Sequence, residues 1–122
     1  MRPRLAILSS LFLCTLITSC GPKHHGPEMT SGGVSFTFSA PEARSVAIAG
    51  SFNAWSIHND RLSGADKNGI WSIVLPLPEG RYEYLFIVDG TKWQLDPAVP
   101  EVDDGFGGKN SVLVIGGEHS GL

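Results

Sequence analysis

From about residue 33 onward the chain alternates apolar and polar residues. Val34, Phe36 and Phe38 are interleaved with Ser35, Thr37 and Ser39, and a period of two places each set on its own face of a strand. Val46, Ile48 and Gly50 make a second alternating set. Trp71, Ile73, Leu75 and Leu77 make a third, and Tyr82, Tyr84, Phe86 and Val88 a fourth. The apolar run Val112–Ile115 closes the series. Turn chemistry separates these segments, with Pro78-Glu79-Gly80 before the fourth set and Asp89-Gly90 after it, where glycine accepts the positive φ of a tight turn. No stretch past residue 33 has the 3.6-residue period of an amphipathic helix. Short strands at close spacing with glycine- and proline-rich turns predict an all-β sandwich or barrel. Trp71 falls in register with Ile73 and Leu75 and is expected in the core. So small a domain sits near the lower end of single-core size, and its aromatic residues offset this by burying a large area per side chain.

The first residues have a different character. Arg2 and Arg4 precede a weakly polar to apolar run from Leu5 to Ile17. That run is shorter than the roughly 20 residues a bilayer span needs and has the size of a secretory signal core, about 7–15 residues. Cys14 lies inside it. Cys20 ends Ile17-Thr18-Ser19-Cys20, which resembles the lipobox of bacterial lipoproteins. The resemblance implies cleavage before Cys20, lipidation of its thiol and acylation of the new N-terminus. The plainer alternative is ordinary cleavage that leaves Cys20 a free thiol. Gly21 follows Cys20 in place of the aspartate that retains many lipoproteins in the inner membrane, so the same resemblance implies the cell envelope, at the outer rather than the inner membrane. Residues 1–19 thus read as a signal peptide, 20–32 as a flexible tether, 33–116 as the β-sandwich and 117–122 as a disordered tail.

Loss of Arg2 and Arg4 takes the formal charge from −3 to −5. An acidic chain without a clustered basic surface gives no support for nucleic-acid binding. His24 and His25 are adjacent in a stretch rich in glycine and proline, where no further ligands or rigid outer shell complete a metal site. No cofactor is implied.

Several motifs then fall in order. Gly50-Ser51-Phe52-Asn53-Ala54-Trp55 comes first and Gly69-Ile70-Trp71 second. Leu77-Pro78-Glu79-Gly80-Arg81-Tyr82-Glu83-Tyr84-Leu85-Phe86-Ile87-Val88-Asp89-Gly90 follows, then Trp93, Asp96-Pro97 and Asn110. In this order and spacing the set resembles the family 48 carbohydrate-binding modules, which include the glycogen-binding domain of the AMP-activated protein kinase β subunit and the early-set domains of isoamylases and branching enzymes. The resemblance covers Val34 to Ile115 and implies an immunoglobulin-like, early-set β-sandwich.

An α-glucan presents apolar C–H patches on its sugar faces and hydroxyls along its edges, so a binder needs flat rings for the former and amides or charges for the latter. The resemblance makes Trp55 and Trp93 the stacking rings. It puts Phe106 where the kinase modules place a leucine that rides against the glucan, and Asn110 where their sugar-binding asparagine lies. Each has a plainer reading: Trp55 or Trp93 as core residues, Phe106 as a loop pin, Asn110 as a turn cap. Two positions depart from the pattern. Leu85 replaces a sugar-bonding lysine and Gly108 replaces a threonine. Leu85 and Ile87 alternate with Tyr84 and Phe86, so an apolar strip is expected on the other face, a surface type that often marks a contact.

Glycoside hydrolysis requires two carboxyl groups at a defined separation in a cleft. Asp103 and Asp104 are adjacent and point apart, while Asp89 and Asp96 suit turns, so the chain does not read as an enzyme. The expected function is non-catalytic binding of a glycogen- or starch-like α-glucan, displayed on a membrane through Cys20. The alternative is a protein-interaction sandwich docking a partner through the Leu85 and Ile87 face, with sugar binding lost.

Overall fold

The protein's structure is a computed structural model that describes residues 26–116. The signal segment 1–19, Cys20, His24, His25 and the tail 117–122 lie outside the described residues. Within them the strands are β1 (Glu28–Thr30), β2 (Gly33–Ser39), β3 (Val46–Gly50), β4 (Ile70–Leu75), β5 (Gly80–Val88), β6 (Lys92–Gln94), β7 (Glu101–Asp103) and β8 (Lys109–Ile115), with one 3-10 turn at Ser51–Asn53. They form two antiparallel sheets, one ordered β1-β2-β4 and the other β3-β5-β8-β7. The fold is the expected β-sandwich.

The alternating sets meet between the sheets. Val34, Phe36, Trp71 and Leu75 come from one layer, and Val46, Ile48, Tyr84, Phe86 and Ile115 from the other. Tyr84 meets Phe36 edge-on at a centroid distance of 5.0 Å and Phe86 at 5.7 Å, the T-shaped geometry that ring quadrupoles favour. Trp71 is buried as expected, and its indole Nε1–H donates to the Ala40 carbonyl at 2.9 Å. One polar network penetrates this core. The Tyr84 hydroxyl donates to Asp96 Oδ2 at 2.6 Å, Asp96 N–H donates to Ser111 Oγ at 2.8 Å, and Asp96 Oδ1 accepts from Ala98 N–H at 2.9 Å. Asp96 therefore does more than form a turn. It fastens the chain after β6 to the sandwich interior.

Strand β5 organises the second sheet. Its one edge pairs with β3, from Gly50 opposite Tyr84 to Val46 opposite Val88. Its other edge is shared, with β8 along the first half and β6 along the second. Trp93 thereby lies opposite Ile87, while Asn110 precedes Ser111, the partner of Tyr84. Chain segments distant in sequence abut on the outer face of β5. Asp89 and Gly90 both take positive φ, 52° and 75°, as a primed hairpin turn requires. The Asp89 carboxylate also accepts from the Arg44 and Ser45 N–H groups at 2.7 and 3.2 Å, and these bonds hold its pKa below the usual aspartate range.

Two expected boundaries move. Glu28, Met29 and Thr30, assigned from sequence to the tether, pair with Ser35, Val34 and Gly33 as edge strand β1. Thr30 Oγ1 donates to the Gly33 carbonyl at 2.8 Å and helps close the turn. All three residues are exposed, so main-chain bonds hold the strand and its side chains carry no alternation to read. Leu77 lies beyond the end of β4 at Leu75, because Pro76 has no N–H with which to continue a ladder. Leu77 still packs against the core.

Candidate functional site

At the end of β3 the chain makes a sharp reversal organised by Asn53. Its Oδ1 accepts from Gly50 N–H at 3.0 Å, and its Nδ2 donates to the Ile48 carbonyl at 3.0 Å and to Asp60 Oδ2 at 2.8 Å. Trp55 N–H returns to the Gly50 carbonyl at 3.0 Å. Ala54 and Trp55 both occupy the left-handed region, with φ of 56° and 59°, a conformation that costs a residue bearing a Cβ about 1–2 kcal/mol. Held there by the Asn53 bonds, the chain leaves Trp55 37% exposed.

Trp93 stands on β6 opposite Ile87, on the outer face of the sheet, and is 48% exposed. Phe106 tops the loop between β7 and β8 and is 94% exposed. Gly105 and Gly107, at φ 85° and 89°, flank it; an added Cβ would meet nothing at either, so what they supply is conformational freedom. Asp104 closes the loop, its Oδ1 accepting from Phe106 N–H at 2.6 Å and Gly108 N–H at 2.9 Å. Those two bonds keep the Asp104 pKa below the usual aspartate range. Asn110 lies on β8 opposite Val102 and is buried. Its Nδ2 donates to Glu83 Oε1 at 3.1 Å, while Glu83 Oε2 accepts from Arg81 Nη1 at 2.8 Å.

Trp55, Trp93, Phe106 and Asn110 line one shallow, open groove of about 280 Å³, together with Leu85 and Asp104. The structure thus brings together all four residues singled out from the sequence. Leu85 forms part of the groove and is half-buried. The exposed apolar strip expected at Leu85 and Ile87 does not exist. Ile87 is 1% exposed and packs with Ala47, Ala49 and Ile57, because the segment after Trp55 folds back over the outer face of β3. Asp104 as a lining residue was not foreseen; its place depends on a loop closure that no local pattern announces.

Residues 33–120 match the family model described as the glycogen recognition site of AMP-activated protein kinase. The chain belongs to this family. Over 73 residues it is 42% identical to the chloroplastic protein PTST homolog 2 of Arabidopsis thaliana, covering 60% of this chain and 13% of that protein. It is 34% identical over 76 residues to a 1,4-alpha-glucan branching enzyme of Corynebacterium jeikeium, covering 62% of this chain and 11% of the enzyme. It is 35% identical over 72 residues to 5'-AMP-activated protein kinase subunit beta-1 of Sus scrofa, covering 59% of this chain and 55% of that one. The match thus spans about half the length of the pig subunit and little more than a tenth of the other two. In this glycogen recognition domain the groove presents the rings of Trp55, Trp93 and Phe106, the Asn110 amide, the Asp104 carboxylate and the aliphatic Leu85 side chain.

Proposed function

We propose that this glycogen recognition domain holds α-glucan in the outer groove of the second sheet without catalysing a reaction on it. One observation carries the reading: two partly exposed tryptophans line the same groove as the Asn110 amide. Covering about 60–80 Å² of apolar surface on each ring contributes roughly 1.5–2 kcal/mol. Two rings and a few hydrogen bonds, less the loss of rigid-body freedom, correspond to a dissociation constant on the order of 0.1–1 mM. A branched polymer strengthens such binding by offering many copies of the same ligand. Asp104 is the one carboxylate among the described residues lining the groove, and its Oδ1 is committed to two backbone N–H groups, whereas glycoside hydrolysis calls for a carboxyl pair. In native gels, the chain carrying Cys20→Ser is expected to migrate more slowly when glycogen is present. Equal mobility with and without glycogen would overturn the reading.

Display on a membrane is the second part of the proposal. Ile17-Thr18-Ser19-Cys20 supports lipidation of Cys20, and several acyl chains anchor far better than one at about 0.8 kcal/mol per buried CH₂. The location is then the cell envelope, at the outer membrane. Cys20→Ser is expected to shift the protein from the detergent phase to the aqueous phase on temperature-induced phase separation. A protein that stays in the detergent phase rules out Cys20 as the anchor.

A further inference from the structure

We propose that Glu83 is a positioning residue for sugar recognition, fixing the Asn110 amide in the one orientation that presents a defined donor and acceptor to a glucan diol. This rests on the glucan reading of the groove. Glu83 on β5 lies opposite Val112 on β8, two residues from Asn110, so the two side chains are diagonal neighbours. Tyr84 and Ser111, the adjacent pair, point into the core, which leaves Glu83 and Asn110 sharing the outer face. Diagonal pairs on one face lie within reach of long side chains, and here Asn110 Nδ2 meets Glu83 Oε1 at 3.1 Å.

An asparagine amide has two orientations of nearly equal shape that exchange its donor and acceptor ends. An ionised carboxylate only accepts. Glu83 therefore selects the orientation with the NH₂ group toward itself, since the flipped amide would set oxygen against oxygen. Glu83 is itself held on two sides. Arg81 Nη1 donates to Oε2 at 2.8 Å, and the Glu83 N–H donates to Ser51 Oγ at 3.2 Å. The Arg81 bond first, and the Asn110 bond second, keep the Glu83 pKa below the usual glutamate range, so the carboxylate stays acceptor-only at neutral pH. Asn110 retains its Oδ1 and one N–H, an acceptor and a donor side by side. Neighbouring sugar hydroxyls, each able to give and take a hydrogen bond, complement that pair. The charged acceptor behind the amide also polarises it and strengthens Oδ1 as an acceptor.

The test is calorimetric titration of maltoheptaose into the Cys20→Ser chain and into Glu83→Leu, Asn110→Ala and double variants of it, with thermal unfolding of each measured alongside. Glu83→Leu is expected to weaken binding about fivefold, the size of one net hydrogen bond. Asn110→Ala is expected to weaken it at least as much, and the double variant to match Asn110→Ala, because Glu83 acts only through that amide. Should Glu83→Leu not fold, Glu83→Gln replaces it in the same cycle. It keeps the shape and tolerates both amide orientations, with an expected two- to threefold loss. Parent-like binding by the Glu83 variant, or single losses that multiply in the double variant, overturns this proposal alone. No binding by the parent removes the glucan reading and this proposal together.

Discussion

Trp55→Ala is expected to lower glucan affinity about 10- to 30-fold, and Trp93→Ala to do the same. The figure follows from the apolar area each ring offers a sugar face, about 1.5–2 kcal/mol at 25 cal/mol per Å². Trp55 is 37% and Trp93 48% exposed, so each substitution removes surface available to a ligand together with some packing against the sandwich. Thermal unfolding of each variant, measured alongside, separates the loss of packing from the loss of affinity. Starting from a dissociation constant on the order of 0.1–1 mM, removal of both rings takes binding to oligosaccharide out of the measurable range. Titration with maltoheptaose and gel migration in glycogen report the same quantity by independent routes. Full affinity in either single variant would take that ring out of the binding surface.

The largest expected effect on stability comes from Tyr84→Phe. The phenol is fully buried, and its hydroxyl donates to Asp96, itself 3% exposed. Removing the donor takes one hydrogen bond from a buried carboxylate, at a cost of about 1–3 kcal/mol. For a domain of this size that lowers the melting temperature by roughly 4–8 °C per kcal/mol. Burial first, and the Asp96 bond second, also raise the Tyr84 pKa far above its ordinary value. The unfolded chain therefore releases this proton above about pH 10 while the folded chain keeps it. A group whose pKa is raised by folding stabilises fully below the unfolded pKa and loses that contribution as pH rises past it. The gap in melting temperature between parent and Tyr84→Phe should hold from neutral pH to about pH 9 and narrow beyond about pH 10. Circular dichroism melts across that range measure it, and a constant gap would mean that Tyr84 ionises alike in both states.

The main strands were legible in the sequence because each buries one face and exposes the other. Val34 and Phe36, Val46 and Ile48, and Tyr84 and Phe86 all point inward as their spacing requires. The three-residue strands β1, β6 and β7 were not legible. They are too short to show a period, and main-chain bonds to longer neighbours hold them. Trp55, Trp93, Phe106 and Asn110 were found through a resemblance of motifs, and their convergence depends on β6 and β8 sharing one edge of β5. Ile87 shows the limit of alternation. The pattern gives the side of the sheet correctly, yet it is blind to a later segment, Ile57, lying over that side. The Glu83–Asn110 pairing needs the register of β5 against β8 before it can be seen.

The two layers of the sandwich also separate the first and last of the described strands. Strand β1 belongs to the three-stranded sheet, while β8, which carries Asn110, belongs to the sheet on whose outer side the tryptophans stand. If glucan lies in the groove as proposed, a bead or sensor chip joined just ahead of β1 is linked to the layer away from the groove. One joined just after β8 is linked to the strand that carries Asn110.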